Sequence, residues 1–112
     1  MQQTGSNMEN EHLYEITAYT ENQVGLLSSI AGIFTRRSIN IEKLLVYPSK
    51  VPGIHKFKIY SRTTEELVKA VVLQIERKVD VVKAYYHVDE RSISEACDVA
   101  ALLEYREKNN KQ

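Results

Sequence analysis

The sequence predicts an α+β fold: a four-stranded antiparallel sheet carrying two helices on one face, in the order βαββαβ, with a further helix at the C-terminus. Three observations carry this expectation. Between residues 12 and 88 the apolar residues alternate by twos, switch to helical spacing, and do so twice over. Turn-forming Asn, Gly, Pro and Ser stand near several of the switches. A chain of 112 residues, 43% hydrophobic and 27% charged, has the size and composition of one soluble domain with one small core. The order βαββαβ is the split-βαβ, ferredoxin-like arrangement, and right-handed crossovers put its first and third strands at the centre. The expected division is a flexible N-terminus (1–11), the βαββαβ domain (12–88) and a helical tail (89–112).

The first strand runs from Leu13 to Thr20, with Tyr14, Ile16 and Ala18 on one face and Glu15 and Thr17 on the other, as in a half-buried strand. From Leu26 to Arg37 the period changes. Leu27, Ile30, Ala31 and Phe34 fall at i, i+3, i+4 and i+7 and so share one side of a helix of about 12 residues, roughly 18 Å long. Arg36 and Arg37 complement the negative end of its dipole, and it stops near Ser38. Ile39 to Tyr47 is again rich in β-formers, and the stretch Pro48-Ser49-Lys50-Val51-Pro52-Gly53 supplies a turn. His55, Phe57 and Ile59 then alternate with Lys56, Lys58 and Tyr60, which predicts a hairpin with a long loop.

Thr63-Thr64-Glu65-Glu66 reads as a capping box with Thr63 as the cap, followed by Leu67, Ala70, Val71, Gln74 and Ile75 at helical spacing. Asp80 to Val88 forms the fourth strand. In the tail, Ser92-Ile93-Ser94-Glu95 is a second capping box, and Ile93, Ala96, Cys97, Ala100 and Leu103 line one helical face to about residue 107. A lone amphipathic helix needs a surface to cover, either the open sheet face or a neighbouring chain.

Composition and motifs exclude most chemistry. Fifteen basic residues balance fifteen acidic ones, so no net field draws the chain to nucleic acid or to an anionic membrane. No apolar run is long enough to span a bilayer, and the polar leader Met1 to Asn7 does not resemble a secretion signal. A single cysteine, Cys97, rules out an internal disulfide and fits a cytoplasmic protein. His12, His55 and His87 lack partners at metal-ligand spacing, so no metal site is expected. Cys97 lies among Ala96, Ala100 and Ala101 and reads as a small buried thiol, while Glu65 and Glu66 are explained by capping. There is no phosphate-binding loop, dinucleotide fingerprint or nucleophile elbow, so neither an enzyme nor a resident cofactor is expected. RNA-recognition modules share the βαββαβ order, and "GIHKFKIY" faintly resembles their basic-aromatic signature. Phe57, however, shares its strand face with His55 and Ile59, which assigns it to the core.

What remains is the turn between the first strand and the first helix. Asn22 and Gly25 suit such a turn for conformational reasons alone. They also suit a ligand. A helix N-terminus offers amide hydrogens and partial positive charge to a carboxylate, Gly25 allows close approach, and the Asn22 carboxamide adds a donor and an acceptor. Asn40, just past the helix, could add a polar contact if two copies meet at their edges.

The stretch "TENQVGLLSSIAGIFTRRSINIEKL" resembles the ACT domain, specifically that of the small regulatory subunit of acetolactate synthase, also called acetohydroxyacid synthase. The resemblance rests on Glu21, Asn22, Gly25, Leu27, Gly32, Phe34, Arg36, Arg37, Asn40, Ile41 and Glu42, and on Lys78-Val79-Asp80-Val81-Val82-Lys83 at the start of the last strand. It covers residues 12 to 88. It implies a non-catalytic regulatory subunit, a homodimer that binds a branched-chain amino acid, usually valine, between two ACT domains. It further implies that the acetolactate synthase catalytic subunit is activated and made sensitive to feedback. By position, the ligand contacts implied are Asn22, Gly25 and the amides of Val24 and Leu26, with Asn40 from the partner chain. The thiamine diphosphate, magnesium and flavin belong to the large subunit. Two departures stand out: Val24 occupies a place where many members carry Pro, and a helical tail stands where longer members have a second domain, as in a short-type or truncated subunit. A stand-alone ACT protein that senses another small amino acid is the alternative.

Overall fold

Apolar residues on alternate positions of β1 (Glu11–Thr20), β3 (His55–Thr64) and β4 (Val81–Val88) meet apolar stripes on α1 (Gln23–Arg36) and α2 (Glu65–Glu76). β2 (Lys43–Pro48) completes an antiparallel sheet of order β2-β3-β1-β4, and α3 (Val99–Asn109) follows. This computed structural model describes residues 10–89 and 99–109, with the backbone alone for 99–102. β1 and β3 are central, as the crossover rule requires.

Directly opposed residues share a sheet face, so the pairs Ile16↔Ile59, Ala18↔Phe57 and Ala18↔Ala84 set one apolar surface. Leu26, Ile30, Ile33 and Phe34 of α1 and Val68, Val71, Val72 and Ile75 of α2 pack on it. Burying each large aliphatic side chain contributes about 1.5–3 kcal/mol. Phe57 is wholly buried here, so its ring is not available for base stacking.

Several boundaries differ from expectation, each for a local reason. α1 starts at Gln23 because Asn22 caps it, and Leu27 is exposed where Leu26 and Ile33 are buried. The run Leu26-Leu27 offers two overlapping stripes, and Leu26, Ile30, Ile33 and Phe34 take the core side. Thr64 rather than Thr63 caps α2, accepting the Leu67 N–H at 3.3 Å; it is the last residue of β3, while Thr63 before it is buried opposite His12. β2 begins at Lys43 rather than Ile39. Residues 38 and 39 are used in closing α1: Ser38 adopts φ 55, its N–H reaches the Thr35 carbonyl, and the Ile39 N–H reaches that of Phe34. This is a Schellman closure with serine where glycine is usual.

β1 is also less open than a half-buried strand. Glu15 stands between Tyr60 and His87, and Thr17 between Lys58 and Tyr85, and both are buried on the face away from α1 and α2. Among the described residues, Thr17 Oγ1 is buried without a hydrogen-bond partner. The Ser92 capping box, Cys97 and most of the tail's apolar face lie outside the described residues; Leu103 of α3 is exposed. Among the described residues no helix is long and apolar enough to cross a membrane.

Candidate functional site

The turn into α1 is built by Asn22. Its backbone is extended, its carbonyl accepts the Leu26 N–H at 3.0 Å, and its side-chain Oδ1 accepts the Gly25 N–H at 2.9 Å. The Asn22 N–H is held by Thr20 Oγ1 at 3.1 Å, and Asn22 Nδ2 donates to Asp80 Oδ2 at 3.3 Å. The Asp80 carbonyl in turn accepts from the Glu21 N–H at 2.9 Å and from Thr20 Oγ1 at 3.1 Å. Thus the end of β1, the first turn of α1 and the start of β4 are latched together.

This geometry explains the glycine. A Cβ on Gly25 would lie 2.7 Å from Asn22 Nδ2, so the space left by the missing side chain holds the folded-over carboxamide. The Leu26 side chain is buried in the core and its N–H is already bonded. Val24 is different: its side chain is 77% exposed, and its N–H is one of those a helix start leaves without an intrahelical acceptor. No acidic residue stands in the first turn of α1. Beside it a cavity of about 160 Å³ is lined by Thr20, Gly25, Leu26, Ser29 and residues 78–81. Asp80 was not singled out as a site residue by sequence reasoning, although an Asp at the foot of a strand is a natural partner for the neighbouring strand's end.

Asn40 lies elsewhere. It is exposed, three residues before β2, with its carbonyl accepting from Ser61 Oγ at 2.8 Å. It lines a separate cavity of about 310 Å³ with Ser38, Glu42 and Arg62. Asn22 precedes α1 and Asn40 follows it, so the helix, about 21 Å long, separates them within one chain. Only a second copy could bring an Asn40 to Asn22.

A second polar cluster lies on the open sheet face. Glu15, with one carboxylate oxygen bonded by the Tyr60 hydroxyl and by Lys58 Nζ (3.1 Å), faces His87 Nε2 at 2.8 Å through the other. Burial raises the Glu15 carboxyl, but the Tyr60 and Lys58 hydrogen bonds and the charges of Lys58 and His87 outweigh it and hold the group below the usual carboxylate range. Donor atoms of Glu15, His87 and Asp89 lie within 4.8 Å of one another, a grouping able to hold a cation. Sequence spacing could not reveal it, because cross-strand register, not helical periodicity, pairs Glu15 with His87. Farther along the same face, Lys56 Nζ sits 5.5 Å over the Tyr19 ring. Burial raises the Tyr19 phenol, and hydrogen bonds with Lys56 and Tyr85 outweigh it, leaving it below its ordinary value.

Comparison with known proteins adds a family to this geometry. A family model described as the AHAS small subunit-like ACT domain matches residues 16–83. The probable acetolactate synthase small subunit of Methanothermobacter thermautotrophicus is 37% identical over 68 residues, covering 61% of this chain and 40% of that protein. The acetolactate synthase isozyme 3 small subunit of Escherichia coli is 31% identical over 68 residues, covering 61% of this chain and 42% of that protein. The crystal structure of the acetolactate synthase small subunit from Thermotoga maritima superposes with a TM-score of 0.57 at 28% identity, over 68% of this chain and 46% of that one. The chain thus spans less than half the length of each of these proteins.

Proposed function

We propose, from the premise that this chain belongs to the family of AHAS small subunit-like ACT domains, that it is a regulatory subunit of acetolactate synthase, binding a branched-chain amino acid at the mouth of α1. In this reading it performs no catalysis itself; it activates a cytoplasmic catalytic subunit and makes it sensitive to feedback by valine.

The observation that carries the reading is the start of α1: a helix N-terminus with no acidic residue in its first turn, capped by Asn22 and adjoining the Asp80 carboxylate. A free amino acid offers a carboxylate to the positive helix end and an ammonium to Asp80. Val24 and Val79 are exposed, and Val79 lines the cavity beside the helix start where a branched side chain would rest. A homodimer supplies the remaining contact. β2 is an edge strand that runs in the same direction as β1, since both pair antiparallel to β3. Two-fold pairing of β2 edges sets the start of one β2, just after Asn40, beside the end of the other. That end of the sheet is where α1 begins. Effector binding that favours the less stimulating dimer shifts the population by its differential affinity, about 1–3 kcal/mol in typical cases.

The test is reconstitution. Added to the catalytic subunit from the same genome, the chain raises the synthase rate and confers inhibition by valine, and calorimetry detects valine binding that Asn22→Ala and Asn40→Ala abolish with the fold intact. Tight binding unchanged in both variants removes the site; an unchanged synthase rate removes the regulatory role.

A further inference from the structure

The open sheet face is not uniform. At one end the row His87–Glu15–Tyr60–Lys43 contains the carboxylate that neutralises Lys58. At the other end the cross-strand row reads Lys83–Tyr19–Lys56–Tyr47, alternating cation and phenol. A cavity of about 740 Å³ opens there, lined by Tyr19, Tyr47, Val51 and Val82 together with Lys50, Lys56 and Lys83, and among the described residues no carboxylate lines it. None of these three lysines has a carboxylate within ion-pair distance among the described residues. Apolar side chains nonetheless stand open to water: Val82 is 58% exposed and Val51 56%, with Tyr47, Tyr85 and Leu45 nearby also exposed. The register shift between Tyr19 and Thr20 leaves Val82 outside the strand pairing.

Exposed tyrosines and aliphatics grouped around a concavity, with no carboxylate among the described residues there, match the composition of protein–protein interface cores, and the lysines at the rim, without an ion-pair carboxylate among the described residues, select an acidic partner. The place also fits regulation. Tyr19 lines this cavity, while its neighbour Thr20 bonds to Asn22 and Asp80 at the mouth of α1; likewise Val82 belongs to the cavity and Val81 to the mouth. The two sites are opposite faces of the same strand ends.

We propose that this end of the open face docks the acetolactate synthase catalytic subunit, taking an apolar side chain of that subunit into the cavity with carboxylates around it. The proposal rests on the regulatory reading above. Its test is an affinity measurement between the full chain and the purified catalytic subunit. Lys56→Glu, Lys50→Glu and Tyr47→Ser each weaken binding about tenfold or more, and raising salt from about 50 mM to about 300 mM weakens the wild type. Lys69→Glu, the same charge change on the exposed face of α2, leaves affinity within about twofold. Thermal unfolding of each variant identifies any loss caused by misfolding, and Lys50, on the exposed loop, is the substitution least able to disturb the sheet. No binding by the wild type overturns the regulatory reading and this proposal together. Wild-type binding that survives Lys56→Glu, Lys50→Glu and Tyr47→Ser overturns the docking face alone. Retention of single-stranded RNA that Lys56→Glu and Lys50→Glu abolish, with catalytic-subunit binding unchanged, assigns the face to nucleic acid and overturns the proposal.

Discussion

The two helices begin in similar surroundings but with opposite electrostatics. α2 follows Thr64 with Glu65 and Glu66, so its positive end meets carboxylates of its own chain, and Glu65 also accepts from the Tyr86 hydroxyl. α1 follows Asn22 with Gln23, Val24 and Gly25, and no acid stands in its first turn. The positive end of α2 has carboxylates in its own first turn, whereas that of α1 has only the Asn22 cap, whose carboxamide reaches across to Asp80. In the proposed reading, the difference separates a cap that only stabilises from a cap that also binds.

Removing each cap breaks the comparison most directly. Asn22→Ala costs about 1 kcal/mol in unfolding free energy for the cap, and in calorimetry abolishes valine binding. Thr64→Ala costs a similar ~1 kcal/mol in denaturant unfolding and leaves valine affinity unchanged, because the proposed effector site lies at α1. Gly25→Ala separates the two roles of Asn22. It displaces the carboxamide, yet alanine's helix propensity returns up to about 1 kcal/mol, so the thermal midpoint moves little while effector binding falls. Gln23→Glu makes α1 resemble α2: the new carboxylate stabilises the helix by about 0.5 kcal/mol and weakens valine binding by about threefold, both effects fading in high salt. The smallest effect is at the other end of α1, where Ser38→Gly relieves the φ of 55 and raises stability by about a few tenths of a kcal/mol, with no change in binding.

Periodicity made the architecture legible. The alternation around Tyr14, Ile16 and Ala18 and around Phe57 and Ile59 marks the two central strands, and the change of period marks the helices. Phase was harder: Leu26 and Leu27 both look fit for burial, and the sheet takes Leu26, on the stripe with Ile30 and Ile33. Thr63 and Thr64 are equally good caps on paper, and the choice follows from where β3 ends, at Thr64. In the candidate site, Asn22 and Gly25 could be read from their types, but not that one fills the space left by the other. Asp80 and the Glu15–His87 pair were hidden for a different reason. Each joins residues nearly sixty or more apart in the chain, where register, not local pattern, sets the distance.

The Asp80 carbonyl accepts two donors that arrive from the end of β1, Glu21 N–H and Thr20 Oγ1. A single peptide group therefore works as a rivet between segments distant in sequence. A backbone cut in the turn of residues 77–80 would loosen the anchorage of the α1 start even though every residue of that helix remained, and a tug on the last strand would be felt first at the first helix.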